Sequence, residues 1–282
     1  MKNQKIIFIL VGAFCVFALI AGIYTQFFVG NKGSDYTQNP TDNISGDSRP
    51  KTQEEIKNQL KSLFTNDFIN NSTYEVQKAN DSKDIVYSAY DIQKKEELYE
   101  VDIHLPVINI SGDVPASFNK ITQSVFADEA SKILNKKYTE KVIYDVNYIS
   151  YINDNILSLA IKSTLKRGNN PQREIIQTYN YNLETGEKVE LVDVLTKRNI
   201  VQSECQNKIN QVVSKAQEEA QILVKSGYQV YNRDLSNSIY QLSNISNFFL
   251  GSTGELYIIF AYGNQNFTSE MEWSFFVPVG FS

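Results

Sequence analysis

Histidine and cysteine are nearly missing from this chain, and their scarcity removes whole classes of chemistry. His104 is the sole histidine in 282 residues. A Ser–His–Asp or Cys–His arrangement would have to use it, and metal centres built on several histidines are excluded. Of the two cysteines, Cys15 falls in an apolar run near the amino terminus and Cys205 lies far beyond it. The part of the chain after that run therefore cannot close an internal disulfide. An exported domain of this kind must rest on its core, which suits a bacterial envelope better than a eukaryotic secretory route. Runs of lysine and arginine are also absent, and the formal charge is −5. Nucleic-acid binding needs clustered basic side chains, so no nucleic-acid partner is expected. The acidic balance equally disfavours direct attraction to anionic lipid or wall phosphate, and is compatible with a basic partner.

What the chain does have is one long hydrophobic run. From Ile6 to Tyr24 there is no charge, and apolar residues continue to Val29. About 20 apolar residues suffice to cross the hydrocarbon core as a helix. Lys2 and Lys5 precede the run, which keeps that end in the cytoplasm. The favoured reading is an uncleaved single-pass span, Ile6 to Val29, with residues 1–5 as a short cytoplasmic tail and the carboxy-terminal part outside the cell membrane. A secretory signal peptide is the competing reading. Cleavage after Ala21 would place bulky Leu19 where a small residue is preferred. A lipoprotein signal would have to use Cys15, which follows bulky Phe14.

Residues 30–51 are polar, with Gly, Ser and Pro and few apolar side chains, and are read as a flexible linker. Residues 52–83 are an amphipathic helix and connector. Thr52 and Glu55 make a capping-box pattern, and Ile56, Leu60, Leu63 and Phe64 form one stripe. A first α+β half follows over 84–183. Tyr99, Val101, Ile103 and Leu105 alternate with Glu100, Asp102 and His104, which predicts a half-buried strand that Pro106 ends or whose pairing it breaks. A helix is expected over 115–134, then hairpin strands near 141–152 and 156–166, and a third strand over 173–183. The second half, 184–282, should contain a helix over 197–225, led in by Leu191–Leu195, and carboxy-terminal strands joined at Gly251–Gly254. At 42% hydrophobic, with 17 Tyr and 16 Phe, the composition leans towards sheet. The fold class is α+β, with antiparallel sheets covered by helices.

The strand closing on Pro106, Asn119 in the following helix, the long hairpin, and the stretch Asn182-Leu183-Glu184-Thr185-Gly186 with Leu191-Val192-Asp193-Val194-Leu195 form one layout. The chain then closes on strands around Tyr262 and Val277-Pro278. Together these resemble the paired extracytoplasmic domains of unknown function found in anti-sigma-V factors and at the front of some peptidoglycan deacetylases. The resemblance spans roughly residues 86–280 and rests on layout, not on a catalytic motif. It implies an outer domain that binds lysozyme in the anti-sigma-V factors. Residues 1–5 are too few for the sigma-binding segment of that family, and no metal-dependent deacetylase domain with Asp-Asp and His-x-x-x-His patterns is found. The resemblance places no lysozyme contact on a particular residue.

No catalytic, cofactor-binding or metal-binding residues are assigned, and no cofactor is expected. His104 reads as a solvated strand residue and Cys205 as an idle thiol. Glu96-Glu97 and Glu218-Glu219 could supply a glycosidase acid and base, but adjacent acids are usually solvated. Gly251–Gly254 lacks the Lys-Ser or Lys-Thr of a phosphate loop. Tyr148, Tyr151, Tyr179, Tyr181, Tyr257, Tyr262 and Trp273 could form a stacking platform for glycan, although in an alternating sheet they read first as core. The expectation is a membrane-anchored, non-catalytic domain of a Gram-positive-type envelope that recognises a lysozyme-like protein or a cell-wall component. The alternatives are a peptidoglycan-acting enzyme using carboxylates, and a structural subunit of a membrane complex.

Overall fold

Period-two alternation dominates the middle of the chain, and it builds one large sheet. The computed structural model describes Glu55 and residues 62–169, 172–227, 236–263 and 271–276. The expected span Ile6 to Val29, the linker, and all of the 52–64 helix except Glu55 and its last residues lie outside these. Among the described residues no helix is long and apolar enough to cross a membrane.

The strands are β1 (Asp67–Asn70), β2 (Val86–Lys95), β3 (Tyr99–Ile108), β4 (Val142–Asn153), β5 (Ile156–Arg167) and β6 (Arg173–Asn182). They form a six-stranded sheet of order β2-β3-β4-β5-β6, with β1 also on β4. The fold is α+β, but this sheet is mixed rather than antiparallel as expected. Both β3 and β1 run parallel to β4, pairing with Val142–Val146 and Ile149–Ile152 respectively. Alternation of apolar and polar residues is the same in both directions, so the sequence carries no mark of strand polarity. Asn66 fills the break between β1 and β3 on that edge of β4. Its amide N–H donates to Tyr148 O, and its side-chain oxygen accepts from Tyr148 N. This needs a backbone φ of +64°, a left-handed conformation that Asn tolerates better than most residues.

Of the two expectations for Pro106, the structure shows the interrupted pairing and not the strand end. The strand runs on to Ile108, and Pro106 lies opposite Ser88, where the β2 register shifts. Since β4 pairs only with Tyr99–Ile103, the missing N–H falls where the ladder is already irregular.

The helix expected from Pro115 starts at Asp113, as α1 (Asp113–Thr122). It continues through a single π turn (Gln123–Ala127) into α2 (Asp128–Leu134). The π turn accompanies a specific bond, because the buried Tyr144 hydroxyl donates to Phe126 O at 3.3 Å. Asn119 clamps α1 to β3 by accepting from Ile108 N and donating to Ile108 O. Phe118, Phe126, Ala130 and Ile133 pack on Val101, Ile103, Tyr144, Val146, Leu159 and Tyr179.

The helix expected over 197–225 is α4 (Gln202–Lys225), and the stretch Leu191–Leu195 expected to lead into it is a separate short helix, α3 (Leu191–Lys197). Asn199, at φ +55°, makes the corner between them. Beyond two short 3₁₀ turns come β7 (Phe248–Leu250), β8 (Leu256–Gly263) and β9 (Met271–Phe276), an antiparallel three-stranded sheet. Phe249, Tyr257 and Ile259 pack on Ile149, Tyr151, Ala160 and Ile176 of the large sheet. Phe248, Leu250, Leu256 and Ile258 face the other way, onto Leu195, Cys205, Ile209 and Val213. The layers within Pro50–Ser282, one compact unit, are therefore helix, six-stranded sheet, three-stranded sheet, helices.

A buried polar seam joins the two sheets. β8 takes the hydrogen bonds of one edge of β7, and side chains of β5 and β6 take those of the other. Phe248 N donates to Thr178 Oγ1 (3.1 Å), Asn180 Nδ2 to Phe248 O (2.8 Å), and Leu250 N to Ser158 Oγ (3.0 Å). Ser158 Oγ in turn donates to Asn180 Oδ1 at 2.6 Å. Orphaning a buried polar group costs about 1–3 kcal/mol. Asn180→Ala strips partners from both Phe248 O and Ser158, and is expected to destabilise the protein by about 2–4 kcal/mol in denaturant unfolding at unchanged slope. An unmoved midpoint would show that β7 does not depend on the seam.

Candidate functional site

Among the described residues, only part of the large sheet is covered on its second face. The small sheet lies over Ile149, Tyr151, Ala160 and Ile176. Strand register places the remaining side chains of that face in rows. One row reads Asp91 on β2, His104 on β3 and Lys162 on β5, with Asn147 on β4 between the last two. The next reads Gln93, Asp102, Asp145 and Thr164, followed by Glu174 on β6. A third holds Lys95, Glu100 and Lys166 with Ile143 between the last two. Acids concentrate on β2 to β4, and Lys162 and Lys166 stand on β5.

His104 is expected to be a solvated strand residue, and the structure holds it more firmly than that. Its side chain is only 24% exposed. Nδ1 lies 2.7 Å from Asp91 Oδ1, while Nε2 is 3.2 Å from Asp102 Oδ1, a close approach without an aligned hydrogen bond. Both ring nitrogens thus face carboxylates. Ser88 Oγ donates to Asp91 at 2.5 Å, so the order is serine, carboxylate, imidazole. A nucleophilic triad needs the imidazole in the middle.

The two aspartates nearest the centre are in different environments. Burial works to raise the Asp91 carboxyl, but the Ser88 hydroxyl and the bond and charge of His104 outweigh it and hold it below the usual value. Asp145 is raised, first by burial and then by the Asp102 and Glu100 charges, against a lowering hydrogen bond from Thr164 at 3.0 Å. Asp102 and Asp145 are direct partners across β3 and β4. Glu100 is held low, chiefly by its bond to Lys95, with Lys141 also near.

The other singled-out residues are scattered. Cys205 is buried beneath α4, where desolvation pushes its thiol up. Glu96 and Glu97 sit in the exposed β2–β3 turn, and Glu218 is exposed on α4. Gly251–Gly254 makes the β7–β8 turn. Tyr148, Tyr151, Tyr179, Tyr181 and Tyr257 are all buried, in agreement with the core reading and against a glycan platform. Burial first, and then Asp91 and Asp67, push the Tyr148 hydroxyl up to about 12. The side chains of Tyr262 and Trp273 lie outside those described.

A second polar concavity opens at the far end of β4. It is lined by Asn71, Ser72, Thr73, Tyr74, Glu75, Asp154, Asn155 and Glu184, with a volume of about 550 Å³. The sequence reading missed both places. Residues 71–75 carry no periodic pattern that would mark them, and the facing of Asp102 and Asp145 depends on the parallel pairing of β3 with β4.

The raised Asp145 gives a test with a definite sign. Where the folded pKa exceeds the unfolded one, the native state binds more protons, so stability falls as pH rises through the folded value. Asp145→Asn is expected to raise Tm at pH 7. The gain should shrink to nothing once the pH drops below about 4, the ordinary range for aspartate. A loss of stability at pH 7 would mean that the ionised carboxylate is a net support of the sheet.

No family model matches the chain, and no curated protein matches it. Several solved structures are similar, and two of them are DUF3298 family proteins. One is a DUF3298 family protein from Pseudomonas aeruginosa, 12% identical over 59% of this chain and 75% of that one, with a TM-score of 0.31. The other is a DUF3298 family member from Bacteroides fragilis, 13% identical over 63% of this chain and 83% of that one, with a TM-score of 0.32. The chain is distantly similar in structure to DUF3298 family proteins.

Proposed function

We propose that this chain is a non-catalytic recognition domain, carried outside the cell membrane by its amino-terminal span, and that its ligand presents a basic protein surface. The observation that supports this reading is the half-face of the six-stranded sheet left open among the described residues, where Asp91, Asp102 and Asp145 stand on three neighbouring strands, Asp102 directly opposite Asp145 and Asp91 opposite His104 in the adjacent row. The side chains lie on strands, not loops, so their positions are set before a partner arrives and little ordering entropy opposes binding. Carboxylates spread over a pleated surface steer a basic protein and fix its register. Lysozyme is the candidate that the resemblance of the sequence suggests. A cell-wall component is the other ligand compatible with this location.

The test is a titration of the full-length chain with a c-type lysozyme at low salt and at about 0.3 M salt, where exposed charge attraction is largely screened. Saturable one-to-one binding at both is expected, weakened at least about tenfold, or about 1.4 kcal/mol, in the Asp102→Asn/Asp145→Asn double variant. Failure to saturate, or equal affinity in that variant, would reject the open face as the docking surface.

One observation favours an enzymatic reading as second choice. A glycosidase acid and its partner are two neighbouring carboxyls, one of them pushed upward by burial, and Asp145, raised in this way, stands directly opposite Asp102 on the next strand. This reading expects peptidoglycan fragments to gain reducing ends on incubation with the protein, and Asp145→Asn to abolish the gain. No release above a protein-free control would dismiss it.

A further inference from the structure

The cleft between the segment leaving β1 and the β4–β5 turn has an aromatic side chain at its mouth and hydrogen-bonding groups around it. Tyr74 is 40% exposed, and among the described residues its hydroxyl takes no hydrogen-bond partner. The backbone that carries it is fixed. Tyr74 N donates to Ser72 Oγ (3.0 Å), and Ser72 N donates to Asn70 Oδ1 (2.9 Å). The preceding residue is tied on both sides: Asn71 N donates to Ile152 O, and Asn71 Nδ2 to Ser252 O at 3.0 Å. The ring is therefore presented on an ordered support, and seating a ligand against it costs little further entropy.

Opposite stand Asp154, Asn155 and Glu184. Asn155 Nδ2 donates to Glu184 Oε2 (3.0 Å) and to Asn182 Oδ1 (3.2 Å), which holds the amide and the carboxylate side by side. Asn155 Oδ1 and the other carboxylate oxygen keep their acceptor capacity. Adjacent planar acceptors of this kind match neighbouring hydroxyls on a ring. The face of Tyr74 carries the negative lobe of its quadrupole, which attracts the polarised C–H face of a pyranose. Thr73 and Ser72 add hydroxyls at the rim.

Charge narrows the ligand further. Glu75, Asp154 and Glu184 line the cleft, and among the described residues no lysine or arginine does. Arg198, whose charge acts on Asp154, is itself bonded to Gly254 O. Phosphate or a uronic acid would meet only like charge here. The volume of about 550 Å³ falls within the ordinary range for small-ligand sites.

We propose that this cleft is a carbohydrate-binding site for an oligosaccharide that is uncharged or carries amino groups. It lies roughly 30 Å from Asp145, nine residues along β4 at about 3.3 Å each, so it stands or falls independently of protein docking on the open face.

The experiment is ligand-observed NMR on the full-length chain, in a detergent without a sugar head group. The probes are the trimer of N-acetylglucosamine, the trimer of glucosamine, and trilysine. Both sugars are expected to bind saturably, the glucosamine trimer at least about threefold tighter, and Glu184→Gln should remove that preference. Tyr74→Ala should weaken both by about tenfold or more, whereas Tyr74→Phe should bind like the parent. Tyr74 is on the surface, so its replacement leaves the core intact. Absence of saturable binding by either sugar overturns the proposal, as does unchanged affinity in Tyr74→Ala. Trilysine binding as tightly as the glucosamine trimer would also overturn it, by reducing the cleft to a patch of negative charge.

Discussion

The arrangement of this molecule depends on how β7 is closed. A three-residue strand exposes two edges, and an unpaired edge buried without partners would be costly. One edge is met by β8 in the usual way. The other is met by Thr178, Asn180 and Ser158, which project from the face of the large sheet. These residues replace a neighbouring strand. They also fix where the small sheet stands, because hydrogen bonds have a register and apolar contact does not. The half of the large sheet that stays open is set by the same bonds.

From that placement follow the two surfaces available for function. The small sheet covers the half-face next to β1 and the β4–β5 turn, and among the described residues nothing covers β2, β3 and the start of β4 on that side. There the parallel pairing of β3 with β4 puts Asp102 beside Asp145, and the β2–β3 hairpin brings Asp91 to His104. Like charges on neighbouring strands oppose the fold. Burial first, and then the Asp102 and Glu100 charges, raise Asp145, against the lowering Thr164 hydrogen bond and the Lys162 charge.

Much of this architecture can be read in the sequence, and the part that cannot has a physical reason. Residues 99–105 alternate cleanly because one face of β3 is core, and the 142–167 hairpin shows itself through two such runs around Asp154-Asn155. Strand polarity is invisible in alternation, so the parallel neighbours of β4 were not foreseen. β1 is only Asp-Phe-Ile-Asn and depends on partners some 80 residues away, so no local pattern could reveal it. Pro106 signals a strand end by the general rule, yet the bulge at Ser88 lets it remain inside one. The Thr178–Asn180 pair reads as two polar residues on a strand, and its purpose becomes visible only with β7 in place. The same holds for the candidate sites: Asp102 and Asp145 stand 43 positions apart in the chain, and only register joins them.

The position of β1 also imposes an order in time. It precedes every strand it touches, and a chain made from its amino terminus exposes it first. Asn66 finds its side-chain partner Asn147 only 81 residues later, and the Asn71 side chain finds Ser252 only 181 residues later. Loop closure over such separations is entropically costly and slows folding. The earliest strand to emerge is thus among the last to be secured, and until then its four residues wait as an open edge.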